Sequence, residues 1–261
     1  MHPILLTLGP FTLYSYGLMM VVAYGVVAWL SARIARALPE DLRAISAEQL
    51  VDFCSVALLG GLLGGRLFYV ALAWKEFVSA PWEVFAIWHG GLVWYGGFFG
   101  GLLAGWLYLR AKRLAFLRVM DQFIPFLALG HALGRIGCFL NGCCYGKPTD
   151  AWCGVLFPGH EQRVLPTQLF ETLGLLFLYI TLRQLQQPAI LKRPGRVFAA
   201  YLIGYALLRF LIEALRGDQT AVWAGLTLQQ IISLSLFLVG ALLLTKKCQT
   251  LRKAGEVSDT F

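Results

Sequence analysis

Charge is what this chain has least of. Only 14% of its 261 residues are Asp, Glu, Lys or Arg, against about 25% in a soluble domain. Apolar residues make up 58%. That balance excludes a soluble enzyme with a solvated surface and leaves a polytopic membrane protein whose core is the embedded bundle. Acidic residues are scarcer than basic ones, and the net charge is +8. In a soluble chain that excess would suggest nucleic acid. Here the basic residues sit in short clusters between apolar runs, so no nucleic-acid partner is expected. No C-x-x-C pair occurs among the six cysteines, which speaks against a thioredoxin-like redox site. No fixed-period repeat and no low-complexity tract is present. The opening MHPILLTLGP lacks a basic n-region and a small-residue cleavage site, so it is not read as a secretory signal peptide.

What is there is a series of apolar runs at roughly 11–32, 50–73, 86–109, 119–140, 165–185, 197–215 and 226–245. Each is near the ~20 residues that a bilayer-crossing helix needs. The expected fold is all-α, with about seven transmembrane helices in one domain over 1–261. Basic residues are divided unequally between the connections. One set carries Arg33, Arg36 and Arg43, then Arg110, Lys112, Arg113 and Arg118, then Arg183, Lys192, Arg193 and Arg196, then Lys246, Lys247, Arg252 and Lys253. The other set holds only Lys75, Lys147, Arg163 and Arg216. The positive-inside rule then places the N-terminus outside and the C-terminus in the cytoplasm. A short segment near 141–164 falls outside, and a polar cytoplasmic tail begins at about 246.

Arg66, Arg135 and Arg209 remain within the spans. A guanidinium keeps its proton, and at the bilayer centre it costs at least about 2.5–3.5 kcal/mol. Such a residue is a functional-site hypothesis by default. The segment GHALGRIGCFLNGCCYG at 130–146 brackets Arg135 with Gly134 and Gly137 and follows it with Asn141, Gly142 and Gly146. Glycine and asparagine there predict that the fourth helix breaks. Broken backbone at membrane depth lines a cavity or is buried in protein. Guanidinium, amide side chain and freed N–H groups can together bind a phosphate. The plainer reading is an arginine snorkelling to the interface. A second segment, YLIGYALLRFLIEALRGD at 201–218, places Tyr205, Arg209 and Glu213 on one helical face. They read either as a structural ion pair or as a second cation at the same cavity.

Other segments leave alternatives open. His89, in WHGGLVWYGGFFGG at 88–101, is the histidine best placed to be a general base near neutral pH; an interfacial structural role is the alternative. In LPTQLFE at 165–171, Gln168 and Glu171 lie one turn apart, and an ionised Glu171 needs a partner, Arg135 or Arg66. Tyr16 is either an interfacial anchor or a site hydroxyl. Arg66, among small residues in GGLLGGRLFYV, reads as structural. The cysteines admit three readings: buried packing residues, one structural disulfide, or metal and redox chemistry.

YGLMM, GGRLFYV, WHGGLVWYGG, GRIGCFLNGCCYG, PTQLFE and GYALLRFLIEALR occur in an order and spacing that resembles bacterial prolipoprotein diacylglyceryl transferases over nearly the whole chain. The resemblance implies a multi-pass enzyme of the bacterial inner (cytoplasmic) membrane. Such an enzyme transfers the sn-1,2-diacylglyceryl group of phosphatidylglycerol to the lipobox cysteine of exported prolipoproteins, forming a thioether and releasing sn-glycerol 1-phosphate. It implies that Arg135 binds phosphatidylglycerol, and it puts Tyr16, Asn141, Gly146, Tyr205, Arg209 and Glu213 at family site positions. Well-studied members have histidine where this chain has Tyr95, asparagine where it has Cys138 and glutamate where it has Cys143. Tyr95 and His89 thus stand with Arg135 and Arg209 as the expected catalytic set. Asn141, Gly142, Gly146, Tyr16, Tyr205, Glu213, Gln168 and Glu171 are the expected substrate-binding set. No metal or organic cofactor is expected. Other classes compatible with intramembrane arginines are a transporter of an anionic solute and a paralogue with different lipid or acceptor specificity. The outer cysteines raise a thiol-disulfide oxidoreductase as well, against which the missing C-x-x-C counts.

Overall fold

A computed structural model describes residues 3–8, 11–87, 90–158, 161–217 and 219–258. The chain is mostly helical, but it opens on a hairpin of β1 (Ile4–Leu8) and β2 (Phe11–Tyr14), paired Ile4 with Tyr14 and Thr7 with Thr12. The first helix, α1 (Ser15–Ala37), therefore begins four residues later than the apolar run. The β-branched and aromatic residues of that stretch suit a strand, and the Ser15 N–H closes the hairpin onto the Pro3 carbonyl at 2.9 Å. There follow α2 (Ala47–Leu72), a short α3 (Trp74–Val78), a 3₁₀ turn (Pro81–Phe85) and α4 (Trp94–Ala111). Next come α5 (Phe116–Asn141), α6 (Thr167–Leu185), a one-turn α7 (Pro188–Leu191) and α8 (Arg196–Leu215). A second hairpin, β3 (Ala221–Trp223) and β4 (Leu226–Thr227), turns at Ala224 and Gly225, both with positive φ. The chain ends on α9 (Leu228–Ser258), which carries its helical backbone past residue 246. The two hairpins correct the all-helical expectation: strands this short carry little alternating signal of their own.

Among the described residues, five helices are long and apolar enough to cross a membrane: α1, α2, α5, α8 and the Leu228–Thr245 part of α9. The other two expected spans exist as helices, α4 and α6, outside that set. α4 is shortened because Gly90 and Gly91 take positive φ (84° and 74°), which a helix cannot use. It is also rich in glycine. α6 carries Gln168, Glu171 and Arg183.

The chain divides into two compact units. The one formed by residues 31–119 is built on α2 and α4. Ser46 and Gln49 cap α2 reciprocally: the Gln49 N–H donates to Ser46 Oγ at 3.2 Å and the Ser46 N–H to Gln49 Oε1 at 3.1 Å. The helices meet through glycines, with Gly64 and Gly96 against each other's carbonyls and Gly60 against the Gly100 carbonyl. Small residues permit this approach, and van der Waals packing rather than hydrophobic burial drives it in lipid. Arg66 is buried and donates to the carbonyls of Glu83, Val84 (3.0 Å), Gly90 (2.5 Å) and Gly91 (3.1 Å). It is a clamp on the loop before α4, as its small-residue setting suggested.

The other unit comprises residues 1–30 and 120–261. Its core joins Ile124, Ala128, Leu178, Leu182, Val197, Tyr201 and Leu202 from α5, α6 and α8. Polar groups fasten one end of this bundle. Pro125 lies inside α5 and lacks the N–H that would bond the Asp121 carbonyl. The Gln186 side chain, at the end of α6, supplies the missing donor to Asp121 O at 2.7 Å. The Asp121 carboxylate accepts from the Gly195 and Phe198 N–H groups, the latter at 2.8 Å, and so caps the start of α8.

Gly64→Ala should destabilise the α2–α4 pair, because its Cβ would meet the Gly96 carbonyl and lie 2.8 Å from Gly100 Cα. The expected loss is about 1–3 kcal/mol, the range for overpacking. Gly25→Ala, with nothing within 4 Å, should leave thermal unfolding in detergent unchanged and serves as the control.

Candidate active site in the first and last segments

At the other end of the bundle four charges share one buried place. Glu171 is 2% exposed and sits one turn after Gln168 on α6. Its Oε1 lies 3.0 Å from Arg135 Nη2 on α5, and its Oε2 lies 3.6 Å from Arg209 Nη1 on α8. Arg209 Nη2 donates to Glu213 Oε2 at 2.5 Å, one turn along α8. Glu213 Oε1 accepts from Thr227 Oγ1 at 2.9 Å, and Thr227 itself caps α9 through Gln230. The sequence left Arg66 and Arg135 both open as partners of Glu171; the structure selects Arg135, joined by Arg209, because Arg66 is spent on loop carbonyls.

His131 and Thr227 are members that the sequence reading missed. His131 Nε2 lies 3.8 Å from Glu171 Oε1, and its ring is 5.4 Å from that of Tyr205. The signal was present, since His131, Arg135 and Cys138 recur at helical spacing. Thr227 was visible only as the start of a T-x-x-Q capping pattern; its reach to Glu213 depends on the fold. Tyr205 stacks on Tyr201 with ring centroids 5.7 Å apart.

The cluster is built but not closed. Arg135 Nε, Arg209 Nη1 and Gln168 Oε1 are buried without a hydrogen-bond partner among the described residues. A buried donor left unpaired costs about 1–3 kcal/mol, so the two guanidinium N–H groups mark a place for a ligand that accepts from their edges, while Gln168 Oε1 is an acceptor and takes no part in that. Phosphate oxygens do so in bidentate fashion.

Around the arginines the chain turns sharply. α5 stops at Asn141, and Gly142 takes φ 77°, a left-handed conformation suited to glycine just past a helix end. The predicted break thus falls at Gly142. Cys144 also has positive φ, at 67°. Gln168 Nε2 donates to the Cys143 carbonyl at 2.6 Å and Thr167 Oγ1 to the Cys144 carbonyl at 3.0 Å, which holds the turn against the start of α6. Gly146 is a crossing point: its N–H donates to Leu165 O at 2.8 Å, and a Cβ there would lie 2.8 Å from the Leu215 carbonyl. Tyr16 is 41% exposed on α1, with its ring near Gly137. Asn141 is exposed at the end of α5, two residues before Cys143.

The sulfurs of Cys138, Cys143 and Cys144 lie within 4.8 Å of one another, a grouping able to hold a metal ion. All three are free thiols, as are Cys54 and Cys153. Contacts from Cys138 and Cys144, and then from Asn141, hold the Cys143 thiol well below the ordinary thiol range. Tyr95 stands in the first turn of α4, in the 31–119 unit, edge-on to Trp94 at 5.3 Å. His89 lies outside the described residues.

Known proteins match this chain along almost its full length. The prolipoprotein diacylglyceryl transferase family matches residues 3–246. The chain belongs to that family. A phosphatidylglycerol–prolipoprotein diacylglyceryl transferase of Clostridium tetani is 34% identical over 245 residues, covering 92% of this chain and 95% of the relative. Its counterpart in Legionella pneumophila (strain Lens) is 34% identical over 247 residues, covering 92% and 94%. That of Bordetella bronchiseptica is 34% identical over 246 residues, covering 92% of both chains. Coverage this even means that the chain and these relatives match over most of their lengths.

Removing the shared carboxylate should loosen the site. Glu171→Gln leaves Arg135 and Arg209 facing each other without their common counter-ion, and breaking a buried pair costs about 3–5 kcal/mol. Thermal unfolding in detergent should fall accordingly. Arg209→Ala and Glu213→Ala should be non-additive by about 0.5–3 kcal/mol. Strict additivity in the double-variant cycle would show that the 2.5 Å pair is not energetically coupled.

Proposed function

We infer that this chain transfers the sn-1,2-diacylglyceryl group of phosphatidylglycerol to the lipobox cysteine thiol of prolipoproteins, forming a thioether and releasing sn-glycerol 1-phosphate. The observation that carries this reading is the family match over residues 3–246. The buried arginines supply its chemistry. A transporter of an anionic solute would also need intramembrane arginines, and family membership decides for the transferase.

The reaction displaces a phosphate from a glycerol carbon by sulfur. Negative charge grows on the leaving phosphate oxygen, and Arg135 and Arg209 are the groups to meet it. Donors aimed beforehand at developing charge in a water-poor site are worth far more than in water. Glu171 keeps both guanidiniums in place until the phosphate arrives, and Glu213 aims Arg209. The acceptor must react as thiolate, the nucleophilic form of a cysteine. Gln168 and Thr167 hold the turn at 142–146, where Asn141, Gly142 and Gly146 shape the approach to the headgroup. Tyr16 and Tyr205 contribute hydroxyls at the rim and the interior. Tyr95 belongs to the proposed catalytic set through the resemblance, and His89 as the histidine best placed to be a general base near neutral pH.

The proposed setting is the bacterial inner membrane, with seven crossings, the N-terminus outside and the C-terminus cytoplasmic. The five apolar helices and the uneven basic residues support it. In that arrangement the turn at 141–164 faces the exported substrate.

Arg135→Ala should lower diacylglyceryl transfer by about 10²–10³-fold, the scale of losing one transition-state donor, with the protein still folded and inserted. Arg135→Lys should rescue poorly, because lysine lacks the planar fork. The measurement is the mass gained by a lipobox peptide incubated with phosphatidylglycerol and purified protein. Near-normal turnover in the alanine variant would remove Arg135 from this role.

A further inference from the structure

We propose that Cys138, Cys143 and Cys144 form a zinc site whose open fourth position takes the acceptor cysteine as a thiolate; this rests on the transferase reading above. The three sulfurs converge within 4.8 Å, and Sγ of Cys143 and Cys144 are 3.5 Å apart. Tetrahedral zinc with Zn–S of ~2.3 Å sets its sulfurs about 3.8 Å apart, so loading needs only small side-chain movement. Thiolate donors favour zinc and other thiophilic metals. Three protein ligands with one position open is the arrangement of catalytic rather than structural zinc.

Packing alone does not account for this geometry. Cys138 sits on the last turn of α5, while Cys143 and Cys144 reach it only because the chain folds back through two positive-φ residues, Gly142 and Cys144. Gln168 and Thr167 then tether the carbonyls of both cysteines, leaving the sulfurs to face one another. Such outer partners orient metal ligands. None of the three cysteines is fully buried, so a fourth sulfur has access. Arg135 stands one helical turn before Cys138 on α5. Three thiolates on Zn²⁺ carry one net negative charge, which Arg135 offsets.

The site supplies what the arginine cluster does not, a nucleophile. A thiol bound to zinc is deprotonated outright. The acceptor Cys–SH passes its proton to water as its sulfur fills the fourth position. A sulfur electron pair then attacks the diacylglyceryl carbon attached to phosphate. The C–S bond forms as the C–O bond breaks, and the C–O pair leaves on the phosphate oxygen of glycerol 1-phosphate, beside Arg135. The neutral thioether, a weaker ligand than thiolate, leaves the metal. Zinc remains Zn²⁺ throughout, and no oxidant or reductant is consumed.

The test is a cobalt(II) titration of the full-length protein, purified without a histidine tag. One cobalt per chain should bind, giving sulfur-to-cobalt charge-transfer bands that zinc abolishes. A lipobox peptide should shift the cobalt d–d bands, and the same peptide with serine for cysteine should not. Cys138→Ser, Cys143→Ser and Cys144→Ser should each lose the spectrum, while Cys153→Ser keeps it. If a serine variant fails to fold, the wild-type titration and its peptide response decide. Stripping zinc should lower transfer by about 10²–10⁴-fold, the scale of proton-transfer assistance, and zinc should restore it. Absence of stoichiometric cobalt binding, a spectrum indifferent to the peptide thiol, or full transfer by zinc-free protein would each overturn the proposal and leave the transferase reading standing. A peptide-dependent spectrum without any lipid transfer by zinc-loaded protein would uphold the thiol site and sink the transferase reading.

Discussion

One buried carboxylate shared by two guanidiniums organises this protein's functional half. Arg135 and Arg209 carry like charges, and in a low-dielectric interior their repulsion would be severe. Glu171 lies between them, 3.0 Å from one and 3.6 Å from the other. Glu213 takes the remaining edge of Arg209 and is itself held by Thr227. Helices α5, α6 and α8 and the start of α9 are thereby drawn to one point. Lipid tails are as apolar as leucine, so apolar contact alone does little to bring membrane helices together. The same charges that are proposed to meet a phosphate also hold the bundle that contains them.

The opposite end of that bundle is fastened by different means. Pro125 removes a hydrogen bond from α5, and Gln186 repairs it from the end of α6. Asp121, on the buried turn at that defect, caps α8. A helix-breaking residue inside α5 is therefore the point at which three helices are joined. With polar fastenings at both ends, the intervening contact can be simple: leucine, isoleucine and tyrosine packed side by side. The 31–119 unit solves the same problem without charge, through glycines that let α2 and α4 approach backbone to backbone.

The sequence by itself determined the membrane class, since too few charges exist to solvate a globule of this size. It located the intramembrane arginines 135 and 209, the one-turn pairing of Arg209 with Glu213, and the end of α5 at Gly142. These are local properties, legible because a helix repeats every 3.6 residues and because glycine takes a left-handed turn at least cost. The motifs also identified the family. Tertiary structure decided what depends on distant segments meeting. It chose Arg135 and Arg209 over Arg66 as partners of Glu171, because Arg66 was taken by loop carbonyls. It added His131 and Thr227, and it replaced the ends of two expected spans with hairpins. It also brought Cys138 to Cys143 and Cys144 at sulfur-to-sulfur range. No periodicity announces such meetings, because side chains many residues apart are paired by the packing of whole helices and by the few backbone positions where the chain can double back.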